Sequence, residues 1–338
     1  MNSKRLPLGK LPPELLAHVI ANAPVHDERV LLGPGIGLDC AVIALGESLL
    51  VLKSDPITFA TDEIGWYAVQ INSNDIATAG ATPRWFIATV LLPENATTEA
   101  LVVKVSDQLF KACSARGISF LGGHTEITYG IDRPIIAGTL IGEVDRENLV
   151  TPRGATPGDK LLLTKGIPIE ATAILAREFP ERLLPELGEE GLQEAAGYLH
   201  QPGISVIDDA RIACDAGNVT AMHDPTEGGL AAALWELAEA SGHPLVVDSA
   251  KVHVSALSSQ ICEIFNLNPM NTIASGALLI AVQASDAAAV CRALTAADIP
   301  CTVIGDIEEG SVCVWDVANG ERKRLLRPAR DEITKVYE

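Results

Sequence analysis

The sequence predicts an α+β protein of two domains, and three observations carry that expectation. Its 338 residues are too many for one compact core and too few for three ordinary domains of roughly 100–200 residues each. The N-terminal half reads strand-strand-helix-strand-helix-strand-strand, which is not the regular alternation of a βαβ chain. The densest run of turn-forming residues, Thr151-Pro152-Arg153-Gly154-Ala155-Thr156-Pro157-Gly158-Asp159, lies near the middle. It marks the expected boundary between a domain of residues 1–150 and one of residues 151–338.

Taken in order, Leu11-Pro12-Pro13-Glu14 opens a short helix. Leu11, Leu15, Leu16, Val19 and Ile20 share one face, and proline suits a first turn. A turn follows at Gly33-Pro34-Gly35-Ile36-Gly37, then strands over 40–45 and 48–53 joined by Gly46-Glu47. A helix is expected over 64–79, stopped by Gly80 with Pro83 beyond it. A strand is expected over 85–92. Leu101, Val105, Leu109 and Ala112 give the clearest helical period, over 98–116. A short strand over 118–121 should end at Gly122-Gly123, and another spans 134–141. In the second half, strands are expected over 160–164, 219–222, 245–247, 276–282, 301–305 and 311–316. Helical segments are expected within 168–217 and over 227–241 and 285–297.

Composition narrows the function. Hydrophobic residues make up 48% and charged residues 20%, as in a folded soluble protein, and aromatics only 4%, so the core must be aliphatic. With 25 basic and 44 acidic residues, the net charge of −19 argues against a nucleic-acid partner and against docking on anionic membranes. It still allows a phosphorylated ligand held through a bridging divalent cation. The seven cysteines form no C-x-x-C and mostly lie in apolar or helical stretches, so they read as small buried hydrophobes in a reducing compartment. No run approaches 18 apolar residues and no signal-type segment opens the chain, so a cytoplasmic location is expected.

The usual nucleotide signatures are missing. There is no G-x-x-x-x-G-K-[ST]. Gly33, Gly35 and Gly37 precede a strand, not the helix that a dinucleotide loop requires. Five polar clusters instead end apolar elements. Gly35-Ile36-Gly37-Leu38-Asp39 could approach a ligand through its backbone, or could be a turn with a solvated aspartate. Lys53-Ser54-Asp55-Pro56 ends a strand and is either a binding group or a simple turn. Asn72-Ser73-Asn74-Asp75 places poor helix formers among Ile and Ala, with Asn72 and Asp75 on one face. Gly122-Gly123-His124-Thr125-Glu126 could meet a phosphate or metal, although a lone histidine is commonly structural. In His223-Asp224-Pro225-Thr226-Glu227-Gly228-Gly229, Asp224 fits an N-cap, Pro225 N1 and Glu227 the capping-box position. Capping leaves Gly228-Gly229 unexplained, and a helix start with free N–H groups suits an anion.

In this order the clusters resemble the ATP-binding superfamily of aminoimidazole ribonucleotide (AIR) synthase, which includes thiamine-monophosphate kinase, selenophosphate synthetase and the hydrogenase-maturation factor HypE. Asp39-Cys40-Ala41-Val42 is similar to the family's D-x-A-V and Ser54-Asp55 to its T-D strand end. Asn74 to Pro83 is similar to N-D-[LI]-x-x-x-G-A-x-P. Gly122-Gly123-His124-Thr125 resembles G-G-[DE]-T, and Pro157-Gly158-Asp159 the start of the second domain. Asp224 to Leu230 resembles the HypE motif D-P-T-R-G-G-L.

The resemblance implies an AIR synthase-like N-terminal domain with a mixed sheet and helices that pairs into a homodimer, and a C-terminal α+β domain. It implies ATP near the dimer interface and Mg²⁺ on acidic residues. The metal ligands expected by position are Asp39, Asp55, Asp75 and Glu126. Gly37, Asn74, Gly122, Gly123, Thr125, Thr226, Gly228 and Gly229 are expected to bind the cofactor, and Asp75, Asp224 and His124 to act in catalysis. His124 departs from the family's acidic residue, and Glu126 is the candidate replacement. HypE proper ends in a cysteine that carries the transferred group. This chain ends Lys335-Val336-Tyr337-Glu338, so that reaction is not expected. No cysteine precedes Cys40, which departs from selenophosphate synthetase.

The function expected is that of a Mg²⁺-dependent, ATP-binding, HypE-like enzyme that phosphorylates or activates an oxygen of an unidentified small molecule. The alternative is a weakly catalytic or non-catalytic ATP-binding partner in hydrogenase or cofactor maturation, working with another maturation protein.

Overall fold

A computed structural model describes residues 6–338. Contacts divide the chain into two units, one of residues 27–33 and 39–149, the other of the chain up to His26 with residues 34–38 and 150–338. The first helix, α1 (Pro13–Ile20), belongs to the latter. It forms where the sequence predicts, with proline at its first turn, but none of its residues is buried, so its apolar stripe is left uncovered.

The unit of residues 27–33 and 39–149 contains β1 (Val30–Leu32), β2 (Ala41–Leu45), β3 (Ser48–Ile57), α2 (Ile64–Thr78), β4 (Thr82–Pro93), α3 (Glu99–Ala115), β5 (Ser119–Thr128) and β6 (Ile135–Asp145). Its sheet has the order β1-β2-β3-β6-β4-β5. All pairs are antiparallel except β4 with β5, which α3 joins as a crossover. One face alternates buried aliphatic and aromatic residues, such as Leu49 and Val51 on β3 and Phe86, Ala88, Val90 and Leu92 on β4. Helix α2 packs on that face against β3, β4 and β6, and α3 packs on α2. Every residue of α2 except Trp66 is buried. The polar residues Asn72, Ser73, Asn74 and Asp75 are therefore inside the protein, not on a solvated stripe.

The expected strand over 118–121 does not stop at the glycines. β5 runs through them to Thr128, with an irregularity where Phe86/Phe120 gives way to Ile87/Gly122. Parallel pairing with β4 overrides the local turn preference. Gly123 is required there: its φ is +141°, and a Cβ would lie 1.8 Å from the Ala88 carbonyl oxygen.

The second unit contains β7 (Lys160–Thr164), α4 (Ile169–Glu178), α5 (Pro180–Gly197), α6 (Ile207–Ala216), β8 (Val219–His223), α7 (Gly229–Ser241), β9 (Leu245–Val247), α8 (Ala256–Phe265), β10 (Leu279–Val282), α9 (Ala287–Ala296), β11 (Cys301–Ile307), β12 (Val314–Asp316) and β13 (Lys323–Arg324). The sheet order is β13-β12-β9-β11-β7-β10-β8. Its core is aliphatic, as the composition requires, with Leu161, Leu163, Leu230, Leu234, Leu279 and Ile304 fully or almost fully buried. Both units thus bear out the α+β expectation. Among the described residues no helix is long and apolar enough to cross a membrane.

Two expectations in this unit change. Helix α7 begins at Gly229, with Gly228 in the left-handed region as its N-cap, so Asp224, Pro225 and Glu227 do not form the expected cap and capping box. Helix α8 was not foreseen, although Ser255 caps it by accepting the Ser258 N–H at 3.0 Å.

Candidate functional site

In the unit of residues 39–149, alternation along β3 puts Lys53 and Asp55 on the face that carries Leu49 and Val51, under α2. There Lys53 Nζ lies 3.1 Å from Asp55 Oδ2 and 3.0 Å from Asp75 Oδ1 of α2. Asp39, two residues before β2, accepts a long hydrogen bond from Thr78 Oγ1 at 3.4 Å, and its charge reaches Lys53. Burial alone would push the Lys53 ammonium towards neutrality. Asp75, Asp55 and Asp39 outweigh it and hold its pKa well above the ordinary lysine value. The three aspartates assigned to a cation thus converge, and the cation among them is the chain's own.

Asn72 fixes this geometry. Its Oδ1 accepts the Asp55 N–H at 2.9 Å, and its Nδ2 donates to the Asp55 carbonyl at 3.3 Å and to the Ala68 carbonyl at 2.8 Å. The side-chain amide therefore ties α2 to the β3 backbone beside the carboxylates. Asn74 is fully buried one residue before Asp75. Sequence reasoning placed Lys53 in a polar cluster but gave it no role. The available signal was its spacing of two from Asp55 on a strand, which puts both on one face.

His124 and Glu126 are not brought to this cluster within the chain. His124 aligns across the sheet with Thr89, Ala137 and Pro56, so β6 and β4 separate β5 from β3. Three strand spacings amount to roughly 14 Å. The two side chains are 67% and 48% exposed, with His124 Nε2 3.3 Å from Glu126 Oε2. Gly122, Gly123, His124 and Thr125 line a cavity of about 220 Å³ between β4, β5 and α3, with Val90, Leu109 and Phe120 among its walls.

The second unit has its own polar group. Asp224 is buried just beyond β8, and Thr226 Oγ1 accepts a hydrogen bond from Lys10 Nζ at 2.9 Å. Lys10 also lies 3.3 Å from Glu227 and 3.9 Å from Glu236. Glu236 pairs with His223 at 2.9 Å. Burial pushes the Glu236 carboxyl up, but Lys10, His223 and Arg327 together hold it at about 2. Gly37 packs against this helix, where a Cβ would come 2.4 Å from the Glu236 carbonyl oxygen.

The glycine pair has an internal explanation. The Gly228 N–H donates to Asp331 Oδ2 at 2.5 Å, so the acceptor at the start of α7 is a carboxyl of this chain. A Cβ on Gly229 (φ +62°) would meet the backbone of Met270 and Thr272 at 2.7 Å. Burial pushes Asp331 up to about 7, against the pull of the Gly228 and Ile333 N–H groups. Nearby, burial pushes Glu170 up to about 8, with the Ser275 hydroxyl pulling down and the Glu227 and Asp331 charges adding to the rise.

Both carboxyls are therefore more basic in the folded chain than when unfolded. Their stabilising contribution is complete below the unfolded values and is lost as pH rises through about 7 and about 8. Stability should accordingly fall between pH 5 and pH 9 in denaturant titrations. Glu170→Gln should flatten the slope and gain roughly 2 kcal/mol over the parent at pH 9. A variant with an unaltered slope would refute this assignment.

Comparison with known proteins gives a consistent picture. The model described as AIR synthase related protein, N-terminal domain, matches residues 37–144, and that of the C-terminal domain matches residues 156–316. A hydrogenase expression/formation protein of Methanocaldococcus jannaschii is 29% identical over 290 residues, covering 82% of each chain. The carbamoyl dehydratase HypE of Escherichia coli is 27% identical over 83% of this chain and 81% of its own. A crystal structure of the hydrogenase maturation protein HypE in complex with ATP superposes with a TM-score of 0.71 at 22% identity, covering 93% of this chain and 90% of that one.

Proposed function

The chain belongs to the family of AIR synthase related proteins, and from that premise we propose that it is an ATP-using enzyme whose nucleotide phosphates are held at the Lys53, Asp39, Asp55 and Asp75 cluster. The observation that carries this reading is the convergence of three aspartates, separated by up to 36 positions in sequence, around one lysine under α2. Groups as shielded as Lys53 and Asp75, 19% and 2% exposed, each cost desolvation free energy, so their placement beside two further carboxylates supports a use. The HypE relative named as a carbamoyl dehydratase and the HypE structure with ATP support nucleotide chemistry.

The carboxylate oxygens of Asp39, Asp55 and Asp75 are the donors that a hard cation takes. They fit Mg²⁺, which would neutralise phosphate charge there. Lys53 then serves as the chain's own phosphate-pairing cation, kept charged by these aspartates. The reaction is phosphorylation or activation of an oxygen on a small substrate, in which positioning and charge neutralisation supply most of the rate. Asp224 is assigned to catalysis and Thr226 to the cofactor. Gly228 and Gly229 act by shaping the start of α7.

A homodimer is part of this reading. Leu45 and Ile87 are exposed on the face of the N-terminal sheet opposite α2, which supports a pairing surface there. His124, standing where the family has an acid, favours the second reading, an ATP-binding maturation partner with little turnover.

Steady-state ADP release decides between the two, screened with candidate carbamoyl compounds and small phosphate acceptors and with light scattering to record the mass. Acceptor-dependent release that EDTA abolishes, from a particle of two chains, is expected. ATP bound without release would favour the partner. Absence of any ATP binding would overturn both.

A further inference from the structure

We infer that Cys291 and Cys301 are a disulfide-forming pair, a covalent modification site in the second unit that the ATP chemistry does not use. Cys291 lies in α9, and Cys301 is the first residue of β11. Their sulfurs are 3.0 Å apart. A disulfide bond is about 2.05 Å long, so closure requires about 1 Å of travel.

The frame around the pair is fixed. Cys301 is in register with Thr164 of β7, and the Thr295 hydroxyl donates to the Cys291 carbonyl within α9. Both residues are half-buried, which leaves the sulfurs within reach of a small oxidant.

Cys214 and Cys313 are half-buried too, but the 3.0 Å sulfur–sulfur approach is a feature of Cys291 and Cys301. Cys40, Cys113 and Cys262 are buried, and Cys40 donates its thiol to the Asp75 carbonyl at 2.9 Å. Burial pushes the thiols of Cys113 and Cys214 up to about 11 and that of Cys262 up to about 12, so they keep their protons and do not attack. Within the pair the hydrogen bond works in opposite directions. The Cys301 thiol lowers Cys291, while that bond, burial and the charge of Asp209 raise Cys301. Whichever sulfur attacks first, the other lies 3.0 Å away to resolve the adduct.

With a low-molecular-weight disulfide as oxidant, one thiolate of the pair attacks one of its sulfurs and expels a thiolate, giving a mixed disulfide. The hydrogen bond between the two thiols is lost in that adduct, so the second cysteine gives up its proton to solvent, attacks the protein sulfur of the adduct and expels the second thiolate. Two protein thiols are oxidised, and one external disulfide is reduced to two thiols.

The test uses the full chain and oxidised glutathione. Thiol titration in denaturant should fall from seven cysteines to five. The intact mass should drop by two hydrogens, peptide mapping should join the segments bearing Cys291 and Cys301, and dithiothreitol should restore all thiols. Cys301→Ser and Cys291→Ser should each abolish the link, and the variant that traps one glutathione on its remaining cysteine marks the sulfur that attacks first. Cys301→Ala serves if the serine variant does not fold. Seven persisting thiols, a link through other cysteines, or an unresolved adduct in the parent protein would overturn the inference.

Discussion

Asp75→Asn is expected to weaken ATP binding in magnesium buffer by about tenfold or more, the usual cost of degrading a ligand or its immediate support at a cation site. Asp75 is buried in α2 with its Oδ1 3.0 Å from Lys53 Nζ, so the amide keeps the shape and removes one charge. The loss falls on both proposed cations at once, since Asp75 is the largest favourable influence on the lysine and one of the three oxygen donors for the metal. Calorimetry on folded variant protein measures it, with the far-ultraviolet spectrum as control. Affinity equal to that of the parent protein would remove Asp75 from the site.

The second large effect is on stability. Lys53→Met should destabilise the protein by roughly 3–5 kcal/mol near pH 8, as expected when one member of a buried ion pair is deleted. The methionine fills the stem volume but leaves Asp75 and Asp55 facing each other without the ammonium. Protonation of one carboxylate relieves that repulsion, so the deficit should shrink towards pH 5. In the parent protein the raised lysine pKa has the opposite sign. Its stabilisation is complete below the unfolded lysine value and is lost only as pH rises through the raised folded one. Urea titrations at both pH values provide the check, and a variant as stable as the parent at pH 8 would show that the lysine is not needed to balance the aspartates.

Much of this was legible in the residues themselves, for identifiable reasons. The hairpin at Gly46-Glu47, the end of α2 before Gly80 and the period of α3 are set by local preferences that tertiary packing does not oppose. Asp39, Asp55 and Asp75 could be grouped only through resemblance, because nothing local brings residues from three elements together. The path of β5 through Gly122-Gly123 was hidden because its cause is the neighbouring strand β4. The glycines at 228 and 229 were correctly noticed as costly, but what approaches them is protein: Asp331 for one and the backbone of residues 270–272 for the other. Lys53 was given no role because a lysine beside an aspartate usually means solvent, and only the covering helix makes the pair internal.

The cap on α7 has a consequence for how the protein is made. Its acceptor, Asp331, follows Gly228 by 103 residues. A ribosome that has just delivered the 224–228 loop has yet to translate the group that finishes it. The start of α7 must wait, its amide served by water, until that late stretch emerges and folds back.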